Sequence, residues 1–68
     1  MKAELTPSEI KVIRYICRGL ENKEIAVKLH QSTRAVENIR FRIHQKLRIK
    51  KLALLVVYAI KKGIYKIK

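Results

Sequence analysis

The sequence has few of the residues that hold small proteins together covalently or through metals. It contains one cysteine and two histidines, so no disulfide framework can form, and no Cys/His spacing resembles a zinc site. Its longest apolar run, Leu52–Ile60, has nine residues, whereas about 20 are needed to span a bilayer. Residues 1–20 lack the continuous apolar segment of a signal peptide. We therefore expect a cytoplasmic protein with no metal and no cofactor.

Acidic residues are also scarce. The sequence contains five acidic and 17 basic side chains, which gives a formal net charge of +12. No acidic residue follows Glu37. A chain with a pI near 10.4 is expected to bind an acidic partner, either nucleic acid or an anionic membrane surface. The acid-free C-terminal half carries most of the positive field.

The length of 68 residues predicts a single domain over residues 1–68. A chain of this size buries only roughly 60% of its unfolded surface, which leaves little room for a catalytic cavity. No acid/base or nucleophile–base pairing can be assembled from its side chains, so we do not expect an enzyme.

The first helix is predicted over residues 7–18. Thr6 can cap it, Pro7 suits the first helical position, and Glu9 completes a capping box three residues after Thr6. Gly19 provides the left-handed residue that commonly follows a helix.

Two further helices follow in quick succession. Residues 22–29 predict a short helix that Asn22 could cap, and Ser32 can cap a longer one over residues 33–47. Only His30 and Gln31 separate the second helix from Ser32. Two helices joined by so tight a turn are typical of a helix-turn-helix arrangement.

The third helix combines an apolar stripe with a cationic outer face. Its apolar positions are separated by three, four and four residues, which places them on one side of a helix: Val36, Ile39, Ile43 and Leu47. Residues 34–51 contain seven basic side chains and one acidic side chain. Such a helix packs on one side and suits a polyanion on the other, so we interpret it as a DNA-recognition helix.

A fourth helix is predicted over residues 52–62, ending before Gly63. This helix is apolar on nearly every side. A domain this small cannot bury every side of one helix in its own core. The inward positions are expected to be Leu52, Leu55, Val56 and Ala59. The outward positions, which would be exposed or face a partner, are expected to be Leu54, Val57, Tyr58 and Lys61.

Four stretches of the sequence resemble the LuxR/GerE-type helix-turn-helix domain of bacterial transcription regulators. They are LTPSEIKV at 5–12, GLENKEIAVKL at 19–29, STRAVENIRFRIHQKL at 32–47 and YAIKKGI at 58–64. The resemblance runs without a gap over nearly the whole chain, and it implies an all-α bundle of four helices. The third stretch is similar to a variant of the family with the pattern AVExxRxRIxxKL.

The resemblance implies a DNA-binding mode in which the third helix, residues 33–47, lies in the major groove of double-stranded DNA. The residues that would face the bases are Glu37, Asn38 and Phe41. The residues that would hold phosphates are Lys23, Arg34, Arg40, Arg42, Lys46, Lys50 and Lys51. The resemblance further implies a homodimer through the outward face of the fourth helix, and it leaves an upstream sensing domain and RNA polymerase open as partners.

The sequence also departs from the family pattern. Ala35 replaces a common threonine, Ile39 a common histidine and Arg42 a common asparagine. Arg48 stands where a glycine usually follows the KL pair, and Ala53 replaces the usual threonine cap of the fourth helix. Loss of such a cap costs about 1 kcal/mol.

Several other interpretations stay open at the level of the sequence. Glu37 could pair only with Arg34 or Arg40 on its own helix, and Phe41 could fold back into the core. The protein could instead be a region-four-like segment of a sigma factor, a membrane-surface peptide acting through residues 52–68, or a protein-interaction module with a basic face. The fourth helix argues against the sigma-factor segment, which ends soon after its recognition helix.

Overall fold

The computed structural model describes residues 4–66, and its regular structure over that range is entirely α-helical. Four helices follow one another along the chain: α1 Pro7–Cys17, α2 Asn22–Leu29, α3 Thr33–Leu47 and α4 Leu52–Lys61. The all-α, four-helix architecture expected from the sequence is therefore confirmed. The bounds of α2 and α3 match the prediction, whereas α1 and α4 each end one residue earlier than expected.

The start of α1 is the capping box that the sequence indicates. The Thr6 hydroxyl accepts from the Glu9 backbone N–H at 3.2 Å, and the Thr6 backbone N–H donates to Glu9 Oε1 at 2.8 Å. Beyond Arg18, Gly19 adopts φ 88°, a left-handed conformation that costs a glycine little. This turn allows Leu20 to fold back, so that its N–H reaches the Tyr15 carbonyl at 3.1 Å.

The cap of α2 is Glu21 and not Asn22, which corrects the sequence prediction. Glu21 has extended backbone dihedrals, and its N–H donates to Glu24 Oε1 at 2.8 Å. Asn22 is therefore the first residue inside the helix, and its side chain is available for a tertiary contact. Two neighbouring residues that both suit a helix start made this boundary ambiguous from sequence alone.

A short turn joins α2 to α3. His30 takes a left-handed conformation with φ 56°, and the Gln31 N–H donates to the Ala26 carbonyl at 2.9 Å, which satisfies one of the last carbonyls of α2. Ser32 then caps α3, because its hydroxyl accepts from the Ala35 N–H at 3.0 Å. The tight connection that the sequence predicts is present.

One core joins all four helices. α3 packs against α1 and α2, and α1 also packs against α4. The buried hydrophobic residues are Val12, Ile13, Ile16, Ile25, Ala26, Val36, Ile39, Ile43, Leu55 and Ala59.

The inward face of α4 is narrower than expected. Leu55 and Ala59 are buried and Val56 is half-buried, but Leu52 is 49% exposed, so its predicted core position is wrong. Leu52 is the first residue of α4, and the buried residues of this helix, Leu55 and Ala59, come later in it. The apolar periodicity could not reveal this, because nearly every side of the helix is apolar.

Candidate nucleic-acid interface

The outer face of α3 presents three side chains of different chemistry to solvent. Because Val36 and Ile43 point into the core, Glu37, Asn38 and Phe41 project from the opposite side, and all three are exposed. Phe41 is 63% exposed, which excludes the interpretation that it folds back into the core. A single exposed aromatic ring is common on protein surfaces, and Phe41 is accessible to a partner beside Glu37 and Asn38.

Glu37 has no ion-pair partner on its own helix. Within residues 4–66, the salt bridges comprise only the Lys46–Glu9 pair, so Glu37 pairs with neither Arg34 nor Arg40. Its carboxylate therefore faces solvent in the most cationic part of the chain. A carboxylate in this position would repel a phosphate, whereas it can accept a hydrogen bond from a base amino group.

Five of the cations that the resemblance assigns to DNA phosphates are exposed. They are Lys23, Arg34, Arg42, Lys50 and Lys51. Lys23 is the second residue of α2, where the positive end of the helix dipole adds to its charge. Lys51 is the residue that precedes α4. The cations thus come from three parts of the fold and are all accessible to an anionic partner.

Arg40 differs from this group because it holds two helices together. It is half-buried, and its Nη1 donates to Asn22 Oδ1 at 2.8 Å, which links α3 to the start of α2. A guanidinium has five N–H donors, so this bond leaves other donors for an anion. Asn22, which the sequence suggested as a helix cap, instead links α2 to α3.

Lys46 has its amino group committed within the fold, not directed at a partner. Lys46 Nζ donates to Glu9 Oε1 at 2.8 Å and to the Glu4 carbonyl at 3.0 Å. Glu9 is only 2% exposed. The expected assignment of Lys46 to a DNA phosphate therefore conflicts with its geometry, because moving it outward would leave a buried carboxylate without its counter-charge.

The ionisation of Glu9 reflects two opposing influences. Burial opposes the charged form, but the hydrogen bonds and charge of Lys46 and the hydrogen bonds with Thr6 outweigh it, so the pKa of Glu9 lies below its ordinary value of 4.5. Glu9 is therefore a buried anion at neutral pH. It joins the start of α1 to the last turn of α3.

The C-terminal end of α3 is closed by two local features. The carbonyl of Ile49 accepts from His44 Nδ1 at 2.7 Å, which fixes the tautomer because a carbonyl cannot donate. Arg48, which occupies the position of a usual family glycine, adopts φ 55°. His44 thus has a structural role that the sequence did not reveal, and Arg48 holds a conformation unfavourable for its side chain.

Three of the four residues predicted to point outward from α4 are exposed. Leu54 and Val57 are 52% and 45% exposed, Lys61 is exposed, and Tyr58 is half-buried. Lys62 Nζ lies 6.0 Å from the centre of the Tyr58 ring, at the limit of a cation–π contact. The face is apolar at its centre and basic at its end.

The described residues show neither a metal site nor a membrane-spanning helix. Across residues 4–66, no three His, Cys, Asp or Glu side chains are grouped so that they could hold a metal ion. None of the four helices in this range has the length and apolar character needed to cross a membrane. Burial raises the pKa of the half-buried Cys17 thiol, which disfavours a reactive thiolate.

Comparison with known proteins assigns the chain to a family. Residues 3–59 match the GerE family, described as bacterial regulatory proteins of the luxR family. The chain belongs to the luxR family. This assignment confirms the resemblance seen in the sequence, and the family consists of bacterial regulatory proteins.

Individual relatives agree with the assignment to the luxR family. The chain is 43% identical over 60 residues to a probable transcriptional regulator ycf29 of Porphyra purpurea, covering 88% of this chain and 29% of that protein. It is 43% identical over 58 residues to the oxygen regulatory protein NreC of Staphylococcus carnosus, covering 85% of this chain and 27% of that protein. The chain thus spans less than a third of the length of these relatives.

Proposed function

We propose that the chain reads specific sequences of double-stranded DNA with the outer face of α3 inserted in the major groove. The observation that carries this proposal is the shared exposed face of Glu37, Asn38 and Phe41 on a helix whose opposite side is fixed in the core. The chain would act through binding and not through catalysis, in the cytoplasm, where its DNA lies.

Each of the three side chains suits a different base edge. Asn38 can pair bidentately with adenine, Glu37 can accept from the N4 amino group of cytosine, and Phe41 can pack on the methyl group of thymine. A good bidentate pair contributes about 1–3 kcal/mol of discrimination against the wrong base. The three together predict a half-site that contains A, C and T within one stretch of major groove.

Cationic side chains would hold the DNA backbone and set the register. We assign this role to the exposed cations and to the remaining donors of Arg40, and we leave out Lys46 because its amino group is paired with Glu9. The proposed phosphate contacts are therefore Lys23, Arg34, Arg40, Arg42, Lys50 and Lys51. Such contacts supply affinity but carry no sequence information.

We further propose that two copies dimerise on DNA through the outward face of α4. Leu54 and Val57 supply the apolar centre of this face, with Tyr58 and Lys61 beside them. A two-fold dimer would read inverted half-sites. An upstream sensing domain and RNA polymerase are the further partners that we propose for the longer protein.

The test is selection of a preferred duplex from a random pool, followed by binding titrations at two salt concentrations. We expect an inverted repeat to be enriched. Asn38→Ala should relax selectivity at one base pair of each half-site, whereas Arg34→Ala should weaken binding to all sequences alike and lower the salt slope by about 0.9. Lys28→Ala, at an exposed position of α2 outside the proposed interface, is the matched control.

A chemical change in the DNA tests Phe41 separately. Replacing the contacted thymine by uracil removes only the methyl group, so it should weaken binding of the wild-type protein and leave Phe41→Ala unaffected. If the wild-type protein binds every duplex equally tightly and loses all binding at higher salt, the proposal of base reading is wrong.

A further inference from the structure

A second cationic surface lies on α1, away from the proposed DNA-reading face. Lys11, Arg14 and Arg18 are exposed and follow one another at intervals of three and four residues, so they form a stripe along one side of the helix. They line a shallow recess of about 180 Å³ together with Tyr15. We call these three cations the α1 stripe. No acidic residue occurs between Glu9 and Glu21 to neutralise it.

The α1 stripe points away from α3. With 100° per residue, it lies on the side of α1 opposite the buried residues Val12 and Ile16. Those residues belong to the same core as Val36 and Ile43 of α3. Because α1 and α3 pack through their core faces, the outer faces of the two helices point in opposite directions. The α1 stripe therefore lies outside the set of residues proposed to contact the first duplex.

One side chain of the α1 stripe is oriented by the fold. Arg14 Nε donates to the Ile64 carbonyl at 3.1 Å, although the two residues are 50 positions apart. This bond fixes the plane of the guanidinium, whose terminal amino groups can still form the bidentate contact that suits a phosphate. The recess thus has one oriented cation between two others. Lys66, two residues after Ile64, adds an exposed cation in the C-terminal segment.

The composition of this surface favours a nucleic-acid partner over a protein. The exposed large hydrophobic residues of the described chain lie on the other three helices: Val27, Phe41, Leu52, Leu54, Val57 and Ile60. Protein interfaces normally have an exposed apolar or aromatic centre, whereas Tyr15, the one aromatic residue of this recess, is half-buried and is flanked by three cations. From Lys11 to Arg18 the stripe rises about 10 Å along α1, which matches three phosphate-to-phosphate steps along one DNA strand.

We infer that the α1 stripe binds the phosphate backbone of a second DNA duplex while α3 holds the first. The protein would then bridge two segments of DNA, with sequence read on one side only. This inference rests on the proposed function, since it assumes that α3 occupies the first duplex. The second contact would be weak and strongly dependent on salt, because it consists of phosphate contacts alone.

The experiment is a two-duplex capture assay. The preferred duplex is immobilised on beads and saturated with protein, and a labelled duplex of unrelated sequence is added at a series of salt concentrations. We expect Lys11→Gln and Arg18→Gln each to lower the slope of log capture against log salt by about 0.9, without weakening the first duplex. Lys28→Gln removes one exposed charge from α2 and should change neither measurement.

Several outcomes would overturn the inference. Capture that is unaffected by Lys11→Gln and Arg18→Gln would place the second duplex elsewhere, for example on the partner copy of a dimer. An equal loss with Lys28→Gln would indicate general charge attraction. Binding of polyglutamate that depends on the α1 stripe, without capture of DNA, would indicate an acidic protein as partner. Circular dichroism of each variant confirms that the helices are intact.

Failure of this inference can be distinguished from failure of the proposed function. The affinity of the immobilised duplex is measured first, with preferred and random sequences compared. If the two sequences bind equally, base reading by α3 is wrong, but capture of the second duplex can still be scored on the random one. If the preferred sequence is bound selectively and capture does not depend on the α1 stripe, only the bridging inference is wrong.

Discussion

The polar side chains of α3 fall into two groups, one exposed to solvent and one bound within the fold. In the N-terminal half, Glu37 and Asn38 point to solvent and make no side-chain hydrogen bond or salt bridge within residues 4–66. In the C-terminal half, Lys46 binds Glu9 and Glu4, and His44 binds the Ile49 carbonyl. The charge alone would suggest a uniform cationic helix. The contacts show instead that some exposed side chains of α3 are available to a partner, whereas Arg40 and Lys46 anchor the helix to α2 and α1.

The largest effect is expected from removing the salt bridge between Lys46 and Glu9, which anchors α3 to α1. Lys46→Met keeps the length of the side chain but leaves the Glu9 carboxylate buried without its counter-charge, so we expect a loss of about 2–3 kcal/mol in the free energy of unfolding. Lys50→Met, at an exposed position just beyond α3, should stay within about 0.5 kcal/mol. Urea unfolding of the two variants checks the prediction. Similar losses for both would show that Lys46 is an ordinary surface cation.

Lowering the pH should weaken the Lys46–Glu9 salt bridge and so lower the free energy of unfolding. Because the folded-state pKa of Glu9 is lowered from 4.5, its ionisation stabilises the fold above that pH, and this contribution is lost as the pH falls through the lower, folded-state pKa. Glu9→Gln removes the ionisation, so the stability of this variant should fall less steeply with acid than that of the wild-type protein. Thermal unfolding measured from neutral pH to pH 3 makes the comparison. Parallel pH profiles would contradict the assigned role of Glu9.

The smallest expected effect concerns the residue that ends α3. Arg48 adopts a left-handed conformation that glycine tolerates without penalty, so Arg48→Gly should stabilise the fold by about 0.5–1 kcal/mol. The same replacement inside the helix, Arg42→Gly, should destabilise it by about 1 kcal/mol. Opposite shifts in the thermal midpoint would confirm that the effect depends on backbone conformation. A destabilising Arg48→Gly would show that the arginine side chain contributes more than its strain costs.

Much of the fold could be predicted from local patterns. The bounds of α2 and α3 followed from hydrophobic periodicity and from residues suited to helix ends, and the outward position of Phe41 followed from its place off the apolar stripe. The position of Leu52 could not be predicted, because an almost wholly apolar helix gives no preferred inward side. Patterns of this kind report which side of a helix is buried only when the other side is polar.

The salt bridge between Lys46 and Glu9 could not be predicted from the sequence, for a different reason. Glu9 already had a sufficient local role in the capping box, and Lys46 already belonged to a cationic face, so neither residue required a distant partner. The pair joins positions 37 residues apart, and no local spacing signals such a contact. The Asn22–Arg40 bond was hidden in the same way, because Asn22 was assigned as a helix cap.

A single atom, Oε1 of Glu9, accepts both the Thr6 backbone N–H and the Lys46 amino group. The opening turn of α1 and the final turn of α3 therefore depend on the same acceptor and are expected to loosen together. Native-state hydrogen exchange is therefore expected to show the two helix ends opening as one cooperative unit, although they lie far apart in sequence. A change at residues 4–6 would then alter how firmly α3 is held.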